Sequence, residues 1–145
     1  MRMQLSLPRD TRYVPVMRSV AECVLEKMHA PDEAADDIRV ALSEACTNAV
    51  RHAVGSSDYT VRFAVAADGC EVEIVDLGPG FDPNGRAAAV ADAETGRGLM
   101  LMRALVDDLE FIRSEDSTRV RLIKRWDNLE LFPGREREAD GSRSH

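Results

Sequence analysis

Glu44 and Asn48 lie four residues apart in the segment Ala41-Leu42-Ser43-Glu44-Ala45-Cys46-Thr47-Asn48-Ala49-Val50-Arg51-His52. On an α-helix that spacing places the carboxylate and the amide on one face. At ~100° per residue this face flanks the apolar stripe of Ile38, Leu42, Ala45 and Ala49. Such a pair is either solvated at the edge of a core or functional, a carboxylate base beside an amide oxygen that helps hold Mg²⁺, a hard cation preferring oxygen ligands. A second segment, Asp76-Leu77-Gly78-Pro79-Gly80, closes an apolar run. Two glycines around a proline can simply make a turn. Alternatively, their missing Cβ atoms let the backbone approach a flat ring while Asp76 accepts hydrogen bonds from an exocyclic amine. The third segment, Gly96-Arg97-Gly98-Leu99, stands at the start of a helical pattern, where free backbone N–H groups and the positive dipole end suit a phosphate chain.

The elements that must position these groups follow from hydrophobic period. Met3, Leu5 and Leu7 alternate with polar neighbours and predict a short first strand, and Met17, Val20, Val24 and Met28 recur at helical spacing over about residues 13–28. Pro31 with Asp32 and Glu33 is a helix-start signal, and the second helix carries Ile38, Leu42, Ala45, Ala49 and Ala53 on to Gly55-Ser56-Ser57. Tyr59, Val61, Phe63 and Val65 predict a strand over 59–66, Asp68-Gly69 a hairpin turn, and Val72, Ile74 and Val75 a returning strand that stops at Asp76. Residues 77–96 read as a loop rich in Gly, Pro, Ala and acids, followed by a short helix with Leu99, Met102, Leu105 and Val106, and by strands at about 109–113 and 118–125. The order β-α-α-β-β-loop-α-β-β implies an α+β fold, a two-layer sandwich whose mixed, mostly antiparallel sheet has helices on one face.

Composition narrows the function classes. The 145 residues make one domain, expected over 3–130, and 131–145 is expected to be a disordered tail, because the run opened by Pro133-Gly134 has almost no apolar side chains. Nineteen Lys+Arg against 26 Asp+Glu leave a net charge of −7, which argues against direct nucleic-acid binding and leaves room for a protein partner. The chain contains no apolar stretch approaching the ~18 residues of a spanning helix and no signal-peptide core, so a cytoplasmic protein without membrane insertion is expected. Cys23, Cys46 and Cys70 show no metal-ligand or CxxC spacing and read as small buried hydrophobes in a reducing compartment.

Taken in this order and at these intervals, the three segments resemble those of the GHKL ATPase superfamily, whose nucleotide site is the Bergerat fold. Glu44-x-x-x-Asn48 resembles its N box, Asp76-x-Gly78-x-Gly80 its G1 box and Gly96-x-Gly98-Leu99 its G2 box. Thr118-Arg119-Val120-Arg121-Leu122 resembles the late strand in which a threonine supports the G1 aspartate, so the resemblance spans about residues 3–125. A stand-alone domain in which Ser43-Glu44-Ala45-x-Thr47-Asn48-Ala49 precedes His52 is most similar to the anti-sigma factor serine/threonine kinases, the RsbW-like group.

This resemblance implies ATP and Mg²⁺ as cofactors, a sigma factor and a STAS-type anti-anti-sigma protein as partners, and a homodimer. It implies that Asp76 binds the adenine amino group with Thr118 in support, that Gly78 and Gly80 let the loop close on base and ribose, and that Asn48 ligates Mg²⁺. Gly96, Arg97, Gly98 and the Leu99 amide would cradle the phosphates, with Arg97 stabilising charge, and Glu44 would be the catalytic base. His52 is divided between packing and a site-edge role, Arg51 between solvent and the phosphates, and Arg18 competes with Arg9 and Arg12 as a partner-contacting arginine. Trp126 is expected to be a packing residue. One departure from the family is a short, alanine-rich and acidic lid at about 82–95. It supports an alternative, an ATP-binding regulatory module that sequesters a sigma factor or other protein without significant kinase activity.

Overall fold

The structure, a computed structural model, describes residues 1–52, 58–77, 93–113 and 117–127. β1 (Arg2–Pro8) leads through a 3₁₀ turn (Thr11–Tyr13) into two consecutive helices, α1 (Val14–Lys27) and α2 (Asp32–His52). β2 (Asp58–Ala66) and β3 (Gly69–Leu77) form a hairpin, and α3 (Ala93–Leu105) precedes β4 (Asp108–Arg113) and β5 (Ser117–Arg125). The strands pair in the order β1-β2-β3-β5-β4.

The expected α+β sandwich is present, but each of the described pairings is antiparallel, so the sheet is not mixed. The reason lies in where β5 inserts. A strand, a helix and a further strand in succession invite a parallel crossover pair. β4 does run in the direction of β3, yet β5 lies between them and is antiparallel to both.

Register explains the core. Leu5 faces Val61, which faces Ile74, which faces Val120, which faces Phe111. Met3, Phe63, Val72, Leu122 and Leu109 make the next row by the same pairings. These side chains lie on the helix-covered face, as the period-2 alternation requires. α1 adds Met17, Ala21 and Leu25, so its buried stripe is centred on these residues and Val20, Val24 and Met28 flank it. α2 supplies Ile38, Leu42, Ala45 and Cys46, and it lies between α1 and α3 while also touching β3 and β5. The opposite sheet face carries ion pairs such as Arg62–Glu73 at 2.9 Å and Arg121–Glu110 at 3.5 Å, which solvent screens.

Three local expectations change. The hairpin connection is Ala67-Asp68, and Gly69 already pairs with Ala66. Gly69 is needed because β5 approaches closely: a Cβ there would lie 2.7 Å from the Lys124 carbonyl oxygen. α3 begins at Ala93, inside the span expected to be loop, so its glycines lie within the helix rather than before it. Cys23 is exposed on α1, whereas Cys46 and Cys70 are buried as expected. Trp126 is a packing residue whose indole N–H donates to the Ala67 carbonyl at 3.0 Å. The expected tail at 131–145 lies outside the described residues, and no described helix is long and apolar enough to cross a membrane.

Lys124 ties the two layers together from β5. Its ammonium donates to the Leu105 carbonyl at the end of α3 at 2.8 Å and pairs with Asp37 of α2 at 3.0 Å. A cation at a helix C-terminus is favourable, and losing it would strand both acceptors in a half-buried setting. Lys124→Met, which keeps the apolar stem, is expected to lower stability by about 1–3 kcal/mol in urea unfolding; unchanged stability would show that the tie contributes nothing.

Candidate functional site

The row of the sheet nearest the C-terminal end of β3 is where the apolar pattern stops. Leu7 pairs with Tyr59 on the β1–β2 side, whereas Asp76 pairs with Thr118 on the β3–β5 side. Both polar residues share the parity of the apolar residues two positions away on their strands, Ile74 before Asp76 and Val120 after Thr118, so they point under α2 instead of into solvent. Above them, α2 presents Asn48 one turn after Glu44, with Ala45 and Ala49 as small neighbours. Asn48, Asp76 and Thr118 are the buried polar or charged residues among those described, at 7%, 6% and 5% exposure. Three residues selected by motif are thus the three that the fold buries against the packing rule. Together with Ala45, Ala49, Ile74, Phe111 and Val120 they line a cavity of about 30 Å³ between α2 and the sheet.

Ser43 and Thr47 flank Glu44 but do not enter this site. Their hydroxyls donate back to the carbonyls of Arg39 and Ser43, each at 2.8 Å, and so are satisfied by the helix itself. Glu44 is half-buried and faces α3. A Cβ on Gly98 would lie 2.7 Å from Glu44 Oε2, so the second glycine of the pair provides the space in which the carboxylate sits. Gly96 has nothing within 4 Å of its Cβ position, Arg97 is exposed and Leu99 packs against the core. The N–H groups of Arg97, Gly98 and Leu99 are within reach of intrahelical acceptors and so are not among the free amides at the start of α3.

Burial pushes the Asp76 carboxyl above the ordinary carboxylate range, and a hydrogen bond and the charge of Arg9 oppose that rise. Arg9 is the site residue that sequence reasoning missed. It precedes the 3₁₀ turn, and its guanidinium donates to Asp76 Oδ1 and, at 2.9 Å, to the Ala49 carbonyl. Neither period nor motif marks it, because its partners become neighbours only once β1, β2 and β3 are aligned. Arg12, by contrast, is an exposed arginine paired with Asp10 at 2.7 Å, Arg51 is exposed and Arg18 is half-buried. Gly78, Gly80, the lid residues before Ala93 and the side chain of His52 lie outside what is described. Burial also pushes the Cys46 and Cys70 thiols up to about 12, which makes them inert hydrophobes.

The two glycines of α3 make opposite predictions. Gly98→Ala is expected to displace the Glu44 carboxylate, detectable as a shifted Glu44 carboxyl ¹³C resonance, at little cost in stability because the flexible carboxylate end can move aside. Gly96→Ala meets open space and should leave that resonance unmoved while strengthening the helix by up to about 1 kcal/mol. An unperturbed Glu44 signal in Gly98→Ala would contradict the close approach.

Comparison with known proteins bears on the fold and the family. The profile of the family described as Histidine kinase-like ATPase domain matches residues 7–124. The serine-protein kinase RsbW of Bacillus pumilus (strain SAFR-032) is 33% identical over 136 residues, which cover 83% of each chain. The protein of the same name from Bacillus licheniformis is 29% identical over 152 aligned positions, covering 96% of this chain and 90% of its own. A crystal structure of the RsbU and RsbW domains of a Mycobacterium tuberculosis protein superposes with a TM-score of 0.68 at 20% identity, over 86% of this chain and 32% of that longer one. The histidine kinase domain of the blue-light activated kinase from Erythrobacter litoralis EL346 gives a TM-score of 0.52 at 19% identity, over 81% of this chain and 61% of its own. At these identities the two structures speak for the fold. The chain therefore belongs to the histidine kinase-like ATPase domain family, and within it to the group of the serine-protein kinases RsbW.

Proposed function

We propose that the chain is an ATP- and Mg²⁺-dependent anti-sigma factor serine/threonine kinase, which binds a sigma factor and phosphorylates a STAS-type anti-anti-sigma protein. The observation that carries this reading is the buried trio Asn48, Asp76 and Thr118 around one cavity, with Glu44 one helical turn away. In this reading Asp76 accepts a hydrogen bond from the adenine amino group, and Thr118 supports it from the neighbouring strand. The cavity, with room for a water or two, must widen to admit the base, and Gly78 and Gly80 would let the following loop come close to it.

Asn48 fits a hard cation, because it offers a buried amide oxygen and leaves the remaining positions to phosphate and water oxygens, as Mg²⁺ prefers. Mg²⁺ bound there would offset the charge of the phosphates during transfer. Arg97, exposed on α3, is free to swing toward the phosphate oxygens. For the amides of Arg97, Gly98 and Leu99 to cradle phosphate, the first turn of α3 has to open. Gly96 and Gly98, each about 1 kcal/mol less favourable in a helix than alanine, make the first two turns the part of α3 that opens most easily. In the transfer step the acceptor hydroxyl oxygen forms a bond to the γ-phosphorus, the bond from that phosphorus to the β–γ bridging oxygen breaks, and ADP leaves with the electron pair. The hydroxyl proton passes to Glu44, which Gly98 leaves room for beside α3.

The surface outside the site has a different task. A chain of net charge −7 binds a protein partner more readily than a phosphate backbone, in keeping with a regulator that acts in the cytoplasm on a sigma factor rather than on DNA. Pairing of two copies is part of the same proposal.

The test is transfer of labelled γ-phosphate from Mg-ATP to STAS proteins of the same genome. Glu44→Gln should lower kcat by about 10²–10⁴-fold while ATP affinity stays close to that of the wild type. Full activity in Glu44→Gln would remove Glu44 as the base. Nucleotide-dependent sigma-factor binding without any phosphotransfer by the wild type would favour a regulatory module over a kinase.

A further inference from the structure

Arg9 belongs to none of the three motif segments, yet it reaches past β2 to the carboxylate at the centre of the site. Its Nη2 donates to Asp76 Oδ1, and its Nη1 donates to the Ala49 carbonyl at 2.9 Å. The guanidinium therefore joins β3 to α2, the two elements that hold the cavity open between them. The two side chains are 10% and 8% exposed, so this is not a screened surface pair. Asp76, Asn48, Ala49 and Thr118 line the cavity and Arg9 does not. Its guanidinium thus holds Asp76 without lining that cavity.

We infer that Arg9 is the positioning residue of the base-reading carboxylate: it fixes the Asp76 side chain and the distance between α2 and β3, and so sets the preference for a 6-amino over a 6-oxo purine. The inference rests on the nucleotide reading of the site given above. A carboxylate has about four lone-pair sites, and Arg9 occupies one of them at Oδ1, leaving acceptor capacity for an amino group. A 6-oxo purine brings an acceptor to the same place, and an acceptor facing a fixed carboxylate is repelled. The preference depends on the carboxylate being held still. Without the guanidinium the Asp76 side chain can turn away, and the buried charge loses its close partner. Lysine keeps the charge but not the two-point hold of the planar fork.

The experiment is calorimetric titration of the full chain with Mg-ATP and with Mg-ITP, which differs by a 6-oxo group. The wild type should prefer ATP. Arg9→Ala should bind ATP at least tenfold more weakly and ITP little changed, so that the preference shrinks, and Arg9→Lys should recover part of it. Should Arg9→Ala fail to fold, Arg9→Gln carries the same expectation. Tighter ATP binding by these variants would mean that Arg9 competes with the base, and equal weakening of both nucleotides would mean a structural role alone; either overturns the inference, as does an unchanged preference. A wild-type chain that binds neither nucleotide would instead remove the nucleotide reading, and this inference with it.

Discussion

A carboxylate buried in the helix-covered face of a sheet is a demand that the surrounding structure has to meet. Asp76 takes the place that the alternation of β3 reserves for an apolar residue, beneath α2, where charge is disfavoured. The neighbouring elements are arranged around that demand. Arg9 comes from the end of β1, Thr118 from the paired position of β5, and Asn48 from the helix above. Each belongs to a different element, so the site exists only when β1, β3, β5 and α2 are assembled. The α1–α2 hairpin, which returns the chain to the sheet end it left, makes that assembly possible, because Pro8 and Asp58 meet in register.

α2 mediates between this buried cluster and the rest of the molecule. Its small residues, Ala41, Ala45 and Ala49, let it lie close over β3 and β5 and leave the cavity beneath it. One turn away its Glu44 meets α3 at Gly98, where a Cβ would crowd the carboxylate. Asn48 above the buried carboxylate and Glu44 beside α3 are in this way set on one helix, and the neighbouring α3 carries two glycines, poor helix formers, near its start. Lys124 joins Asp37 of α2 to the C-terminal end of α3, away from the glycines.

Much of this was legible in the sequence because the polar residues break strong local patterns. Asp76 ends a clean alternation, Glu44 and Asn48 edge an apolar helical stripe, and Thr118 was reached through a family pattern. What escaped was non-local. Arg9 looks like any charged residue after a strand until strand order is known. Gly69 reads as a turn residue, although the close approach of β5 is what requires it. The start of α3 was hidden because glycines are breaker signals, while here tertiary contact with Glu44 outweighs helix propensity. Among the described strands the absence of a parallel pair depends on β5 inserting between β3 and β4, a choice made by long-range pairing. The composition groups Cys23 with its buried counterparts, yet α1 turns it outward, because two residues from both Ala21 and Leu25 it falls on the opposite face of the helix.

The central claim is that the buried trio under α2 reads an adenine base. A crystal structure of the chain with Mg²⁺ and a non-hydrolysable ATP analogue tests it most directly. The account predicts the 6-amino group about 3 Å from the Asp76 carboxylate, Asn48 on the metal side of the phosphates, and Arg9 still joined to Asp76. A nucleotide bound elsewhere, with Asp76 and Thr118 still enclosed and out of its reach, would contradict it.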